Sequence, residues 1–395
     1  MKRLDELLAG NVAVMEIIVN PAEVTLSRDA AHTPNRYAFI DALRGYAILA
    51  VIAFHVSYNV TNLDAHVRQF ASAGAAGVQL FFVVSALIMM WSWQARADGV
   101  RAFYVRRLFR IAPMFWLSIP VFLVLRGFIP TQWTTNGTSW GDVLASIFFV
   151  NGWHPDSINN VVFGGWSVAV EMTFYMVFPV LVFFLRSLKR VLVALIAAVV
   201  LLGALNPLAA QLWSSWSPGM PAAQIEMFTL LWFWNQLPVF IVGIGVFFLL
   251  RDVSASPVLL SLGLVLSIGL AGMIKFLPFA GLETVLYALC FGLLTFCLGK
   301  GAGKVLVNSI ICQIGKVSFS AYLWHFVVLT LMFRAPRWTK PLGLYDPTNG
   351  IPFYICLFIG VTAITVALSA FTYRLVERPM IAIGNRIARS AEIRP

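Results

Sequence analysis

The sequence predicts an all-α fold: a polytopic membrane helix bundle of about ten transmembrane helices, with both termini on the cytoplasmic side. Three observations carry that prediction. Hydrophobic residues make up 60% of the 395 and charged residues 11%, less than half the roughly 25% charged content of soluble domains. Apolar runs near the roughly 20-residue length of a bilayer-crossing helix recur near 38–60, 74–95, 111–129, 166–186, 191–210, 227–250, 256–278, 283–299, 313–333 and 351–373. Of the 28 Lys and Arg, 22 fall on the N-terminal side of these crossings and six on the other, and the basic side of a membrane protein faces the cytoplasm.

The net charge of +11 is spread in short clusters between apolar runs. It therefore marks topology, not a nucleic-acid surface. Residues 1–35 read as a cytoplasmic extension, because Glu16 interrupts their one apolar patch and no cleavage signature follows. The four cysteines show neither paired spacing nor a His-rich neighbourhood, so no metal site is expected.

Span one carries Asp41, Arg44 and His55 within an otherwise apolar run. Arg44 and His55 are eleven residues apart, about three turns, so they share a face at roughly 16 Å separation. Ionisable groups in a span turn toward a protein interior or an aqueous cavity and mark function. Asp41 and Arg44, three apart, are placed to pair. An imidazole suits proton removal from a hydroxyl near neutral pH; the alternative is a packed, hydrogen-bonded histidine. Before span three, the tract FYVRRLFRIAPMFW sets Arg107 and Arg110 on one face, and Ile111-Ala112-Pro113 is read as the opening of the span. Guanidinium groups near a helix N-terminus suit phosphates, and the alternative is anchoring to anionic lipid.

The loop 130–165 is the longest on the outer side, with Trp133, Trp140, Trp153 and Trp166 in or beside it, and Val143 to Val150 is expected at the outer interface. These tryptophans read as interfacial anchors, with stacking on sugar rings as the other possibility. Span four opens with GGWSVAVEMTFYMVFP, where Ser167 and Glu171 share a face. A carboxylate there can orient a histidine, act as a base, or bind sugar hydroxyls; it can also simply lock helices. Span nine, KVSFSAYLWHFVV, holds Ser318, Ser320, Tyr322 and His325, of which the serines read as packing hydroxyls. An outer loop, 334–350, and span ten follow, then a basic tail over 380–395.

These motifs, FIDALRGYAILAVIAFH, GVQLFFVVSALIM, RRLFRIAPMFW, WSVAVEMTFYMVFP and SFSAYLWHFVV, stand in the order found in acyltransferase family 3, and the chain resembles that family over roughly 36–379. The resemblance implies an integral membrane O-acyltransferase of the bacterial cytoplasmic membrane. Its donor would be acetyl-CoA or another short acyl-CoA, with no metal, and its acceptor a hydroxyl of an envelope or exported polysaccharide or its lipid-linked precursor. It implies that Arg44, Arg107 and Arg110 hold the donor, that His55 is catalytic, and that Glu171 stands in the family's acidic position after Trp-Ser; Glu171 is expected to be catalytic with His55. Asp41, Trp166, Ser167 and His325 are the expected acceptor contacts. One departure is Ala86, where the family more often has glycine after the serine. The competing expectation is a transporter or flippase of a lipid-linked saccharide, since multi-span bundles with buried charges also build translocation paths.

Overall fold

The computed structural model describes residues 37–95, 99–129, 137–277, 281–334 and 350–390. Its body is Phe39–Pro395; of the preceding unit, Met1–Ala38, only the last two residues are described. The expected N-terminal extension, Trp133, nearly all of the 334–350 loop and residues 391–395 lie outside the described residues. Regular structure among the described residues is entirely helical.

In chain order the elements are α1 (Ala38–Ser57), α2 (Ala65–Ser72), α3 (Gly77–Gln94), α4 (Val100–Arg126), α5 (Trp140–Ile147), α6 (Gly165–Phe184) and α7 (Leu188–Trp216). They continue with α8 (Ala222–Leu231), α9 (Phe233–Asp252), α10 (Pro257–Met273), α11 (Glu283–Gly299), α12 (Ser309–Lys316), α13 (Ser318–Arg334), α14 (Gly350–Thr372) and α15 (Arg378–Ser390). Eight described helical segments are long and apolar enough to cross a bilayer; the pair α12 and α13, bent by 77°, makes a ninth. The remaining expected span, eighth in chain order, is α11, shorter at 17 residues, or about 25 Å of helix. The chain is thus a multi-pass membrane protein whose apolar helices lie where the hydropathy pattern puts them.

Four boundaries differ from the sequence reading, each for a physical reason. Helix α4 starts at Val100, well before the arginine tract, because Pro113 is absorbed inside the helix and does not open it. Span six breaks between Leu231 and Phe233. The break leaves the Leu230 carbonyl without its helical partner, and the side-chain amides of Asn235 (2.7 Å) and Gln236 (2.9 Å) donate to it instead, as backbone at membrane depth demands. Span nine bends where Gly315 passes against the backbone carbonyl of Asp41, an approach that no Cβ would permit. Finally, helix does not stop with span ten: a π-helical turn, Tyr373–Glu377, joins α14 to α15, whose Gly384 packs on Phe109 of α4.

Burial ranks the helices. The α8–α9 span is 78% buried and forms the centre, whereas α7 and α10 bury 11% and 22% and present their sides outward. Phe174 of α6 stacks on Phe240 of α9 at 3.9 Å, within one continuous core that includes Leu43, Ile48, Phe115 and Phe122. Ala86 packs with no exposure where α3 crosses α9 at Gly243. A glycine on the partner helix therefore accommodates the methyl that the expected glycine lacks. At the end opposite the arginine tract, α5 is held by a Ser139–Asp142 capping box. It turns Trp140, Leu144 and Phe148 outward at 69%, 55% and 70% exposure, the stripe expected of an interfacial helix.

Candidate active site

Five helices enclose a cavity of about 70 Å³. Helix α1 contributes Arg44, and α4 contributes Arg107 and Arg110 from one face. From α6 come Ser167, Glu171 and Tyr175, spaced by four residues and so stacked along one stripe. Ser85 of α3 and Ser318 and Tyr322 of α13 complete the polar lining; the remainder is apolar, including Phe81 and Ile88.

Glu171 is the only carboxylate among the described lining residues. Its Oε1 accepts hydrogen bonds from Ser85 Oγ and Tyr175 OH, both at 2.5 Å. The Tyr175 ring in turn lies 5.6 Å from the Arg107 guanidinium carbon, as does the Phe103 ring, so Arg107 is held between two aromatic rings. Among the described residues no carboxylate lies within 4.0 Å of Arg44, Arg107 or Arg110. The expected Asp41–Arg44 ion pair therefore does not form: Arg44 turns to the cavity and Asp41 does not line it. The cavity holds three cations against one carboxylate, a balance that favours an anionic ligand. The helix N-terminus has no part in this, because α4 begins seven residues before Arg107, beyond the first turn over which its dipole acts.

His55 lies farther along α1, outside the cavity lining. Its ring centroid is 5.2 Å from that of His325 on α13. The His325 ring is 5.7 Å from Tyr322, which does line the cavity. The Tyr322 hydroxyl donates to the Gly164 carbonyl (3.1 Å) and accepts from Ser167 Oγ (3.0 Å). A continuous row thus runs from the arginines past Glu171, Ser167 and Tyr322 to the two imidazoles. Trp166 is buried, edge-on to Phe82 at 6.2 Å, and lies outside the lining. Trp140 and Trp153 are exposed.

Three polar groups here were missed in the sequence. Tyr175 sits one turn past Glu171, and an i, i+4 search from the carboxylate finds it. Ser85 lies within GVQLFFVVSALIM and carries no signal of its own. Glu377 is 5% exposed, accepts a hydrogen bond from Ser320 Oγ, and is a charge neighbour of Arg44 and Arg110. It follows the apolar run of span ten, where the sequence gives no sign that a charge is buried.

The chain matches the family model described as acyltransferase domain over residues 37–370. It is 26% identical over 384 residues to the acyltransferase MdmB of Streptomyces mycarofaciens, covering 89% of this chain and 93% of that protein. It is 29% identical over 321 residues to the exopolysaccharide production protein ExoZ of Rhizobium meliloti, covering 79% and 91%. Against the peptidoglycan O-acetyltransferase OatA of Listeria monocytogenes it is 24% identical over 86% of this chain, but spans 55% of OatA. No solved structure matches this chain significantly.

Proposed function

This chain belongs to the family of that acyltransferase domain and is an enzyme, and we propose that it moves an acetyl or other short acyl group from acyl-CoA to a polysaccharide hydroxyl. The acceptor is an envelope or exported polysaccharide or its lipid-linked precursor, a reading supported by the exopolysaccharide in the name of ExoZ and the peptidoglycan in that of OatA. The enzyme lies in the bacterial cytoplasmic membrane with both termini and the arginine end inside, where acyl-CoA is found. The observation that carries this reading is the row just described: a cavity with three guanidinium groups and one carboxylate, leading along helix faces to His55.

The donor's phosphates bind at the basic end, drawn by Arg44, Arg107 and Arg110. A cavity of about 70 Å³ is too small for the whole carrier, so the phosphates stay at its basic end and the extended arm carries the thioester along the row to His55. Glu171 keeps Tyr175 and Ser85 in place and, through Tyr175, the Arg107 guanidinium. His55 removes the proton of the acceptor hydroxyl as its oxygen attacks the thioester carbonyl. The O–C bond forms, the C–S bond breaks, and the proton passes from His55 to the departing thiolate.

Purified protein in liposomes tests both halves. Arg107→Gln with Arg110→Gln removes two charge-assisted contacts at roughly 1.5–3 kcal/mol each, so donor affinity falls by about 100-fold or more. His55→Ala abolishes transfer and leaves donor binding intact. Unchanged affinity in the first variant, or full transfer in the second, overturns the corresponding assignment.

A further inference from the structure

Two imidazoles meet beside the far end of α1, and the mechanism above uses one. His325 has no exposed surface, and its ring is inclined at 37° to that of His55. His325 Nδ1 is 3.2 Å from the carbonyl oxygen of Ala321, one turn earlier on the same helix. A carbonyl oxygen only accepts, so Nδ1 carries the hydrogen and Nε2 presents a lone pair. That Nε2 is buried and has no hydrogen-bond partner among the described residues.

Packing does not call for such an atom. Phe326, Tyr322 and His55 surround the ring at centroid distances of 4.0, 5.7 and 5.2 Å, and a phenyl group would fill this space without burying an unpaired acceptor. Ser318 Oγ is likewise buried and unpartnered, and it lines the cavity seven residues earlier on α13. At that spacing Ser318 and His325 share a helix face. One face of α13 thus presents an unsatisfied polar atom at each end of the row.

We propose that His325 is a positioning residue for His55, with Nε2 as the acceptor that holds the His55 imidazolium during transfer. The inference rests on the reading of His55 as the base. When one nitrogen of His55 takes the hydroxyl proton, the N–H at its other nitrogen donates to His325 Nε2. The positive charge is then stabilised by a second ring in otherwise apolar surroundings. As the C–S bond breaks, the thiolate takes the proton from His55 and both rings return to their starting state. His325 exchanges no bond with the substrate, so the acceptor-contact role expected from the sequence is replaced by one exercised through His55.

The test compares His325→Phe, His325→Gln and His55→Ala in liposomes, reading kcat, acyl-CoA KM and acyl-CoA affinity. His325→Phe is expected to lower kcat by about 100-fold, within the range of a lost acid–base contribution, with donor KM and affinity unchanged. His325→Gln supplies an amide oxygen in place of Nε2 and recovers most of the loss, a rescue that a purely packing role would give to Phe instead. Should the Phe variant fail to insert, His325→Leu replaces it. Full kcat in the apolar variant while His55→Ala is inactive overturns this proposal alone; full activity of His55→Ala overturns the base assignment as well.

Discussion

Glu171 gives the sharpest energetic prediction, because replacing it separates stability from donor binding. Its Oε1 accepts two hydrogen bonds of 2.5 Å, from Ser85 and from the buried Tyr175. In Glu171→Leu both hydroxyls lose their acceptor, at about 1–3 kcal/mol each, so the protein loses about 2–6 kcal/mol of stability. Glu171→Gln keeps an acceptor oxygen but exchanges two charge-assisted bonds for neutral ones, a loss of about 2–3 kcal/mol in total. Glu171→Gln leaves the three guanidinium groups in place without the opposing charge, so the proposed anionic donor binds at least as tightly as before, whereas Glu171→Leu also frees Tyr175, and with it Arg107, and weakens donor binding. Thermal unfolding in detergent, with and without acyl-CoA, reads both effects. Wild-type unfolding temperatures for both variants, or weaker donor binding in Glu171→Gln, would refute the reasoning.

Other substitutions probe the scaffold. Gly315→Ala pushes a methyl into the Asp41 carbonyl and should cost about 1–3 kcal/mol, whereas Gly360→Ala, in open space within α14, should be neutral or stabilising by up to about 1 kcal/mol; thermal unfolding of the two decides. Arg68 donates to the carbonyls of Ser57 (2.8 Å), Val60 (2.7 Å) and Thr61 (3.1 Å) just beyond His55. Arg68→Met should speed amide hydrogen exchange over 55–61 and leave the rest of α1 protected, and unchanged exchange there would contradict the clamp. Replacing Trp140, Leu144 and Phe148 together by Ser should release α5 from the bilayer surface, read as lost quenching by lipid-borne quenchers of a fluorophore on α5.

The membrane spans were legible because an apolar run of about 20 residues has one stable solution in a bilayer. The Arg44–His55 spacing was legible because both sit on one regular helix. Boundaries failed where the sequence carries charge through a helix: the arginine tract masked the start of α4, and Pro113 read as an opening when it lies mid-helix. Glu377 was hidden similarly, in a π turn past the end of the apolar run. The His55–His325 contact lay beyond reach, since 270 residues separate the two and only the packing of α13 against α1 joins them. Gly45 and Gly315 set α1 tightly against α12, the helix before the bend into α13, and a glycine in a membrane helix does not name its partner.

The most direct test of the account is mass spectrometry of envelope and exported polysaccharides from cells carrying the wild-type protein, no protein, or His55→Ala present in the membrane at wild-type level. The account predicts that one ester-linked acyl group disappears in both mutant strains while the polymer itself is still made. Unchanged acylation with a reduced amount of polymer would contradict it and favour transport of a lipid-linked saccharide.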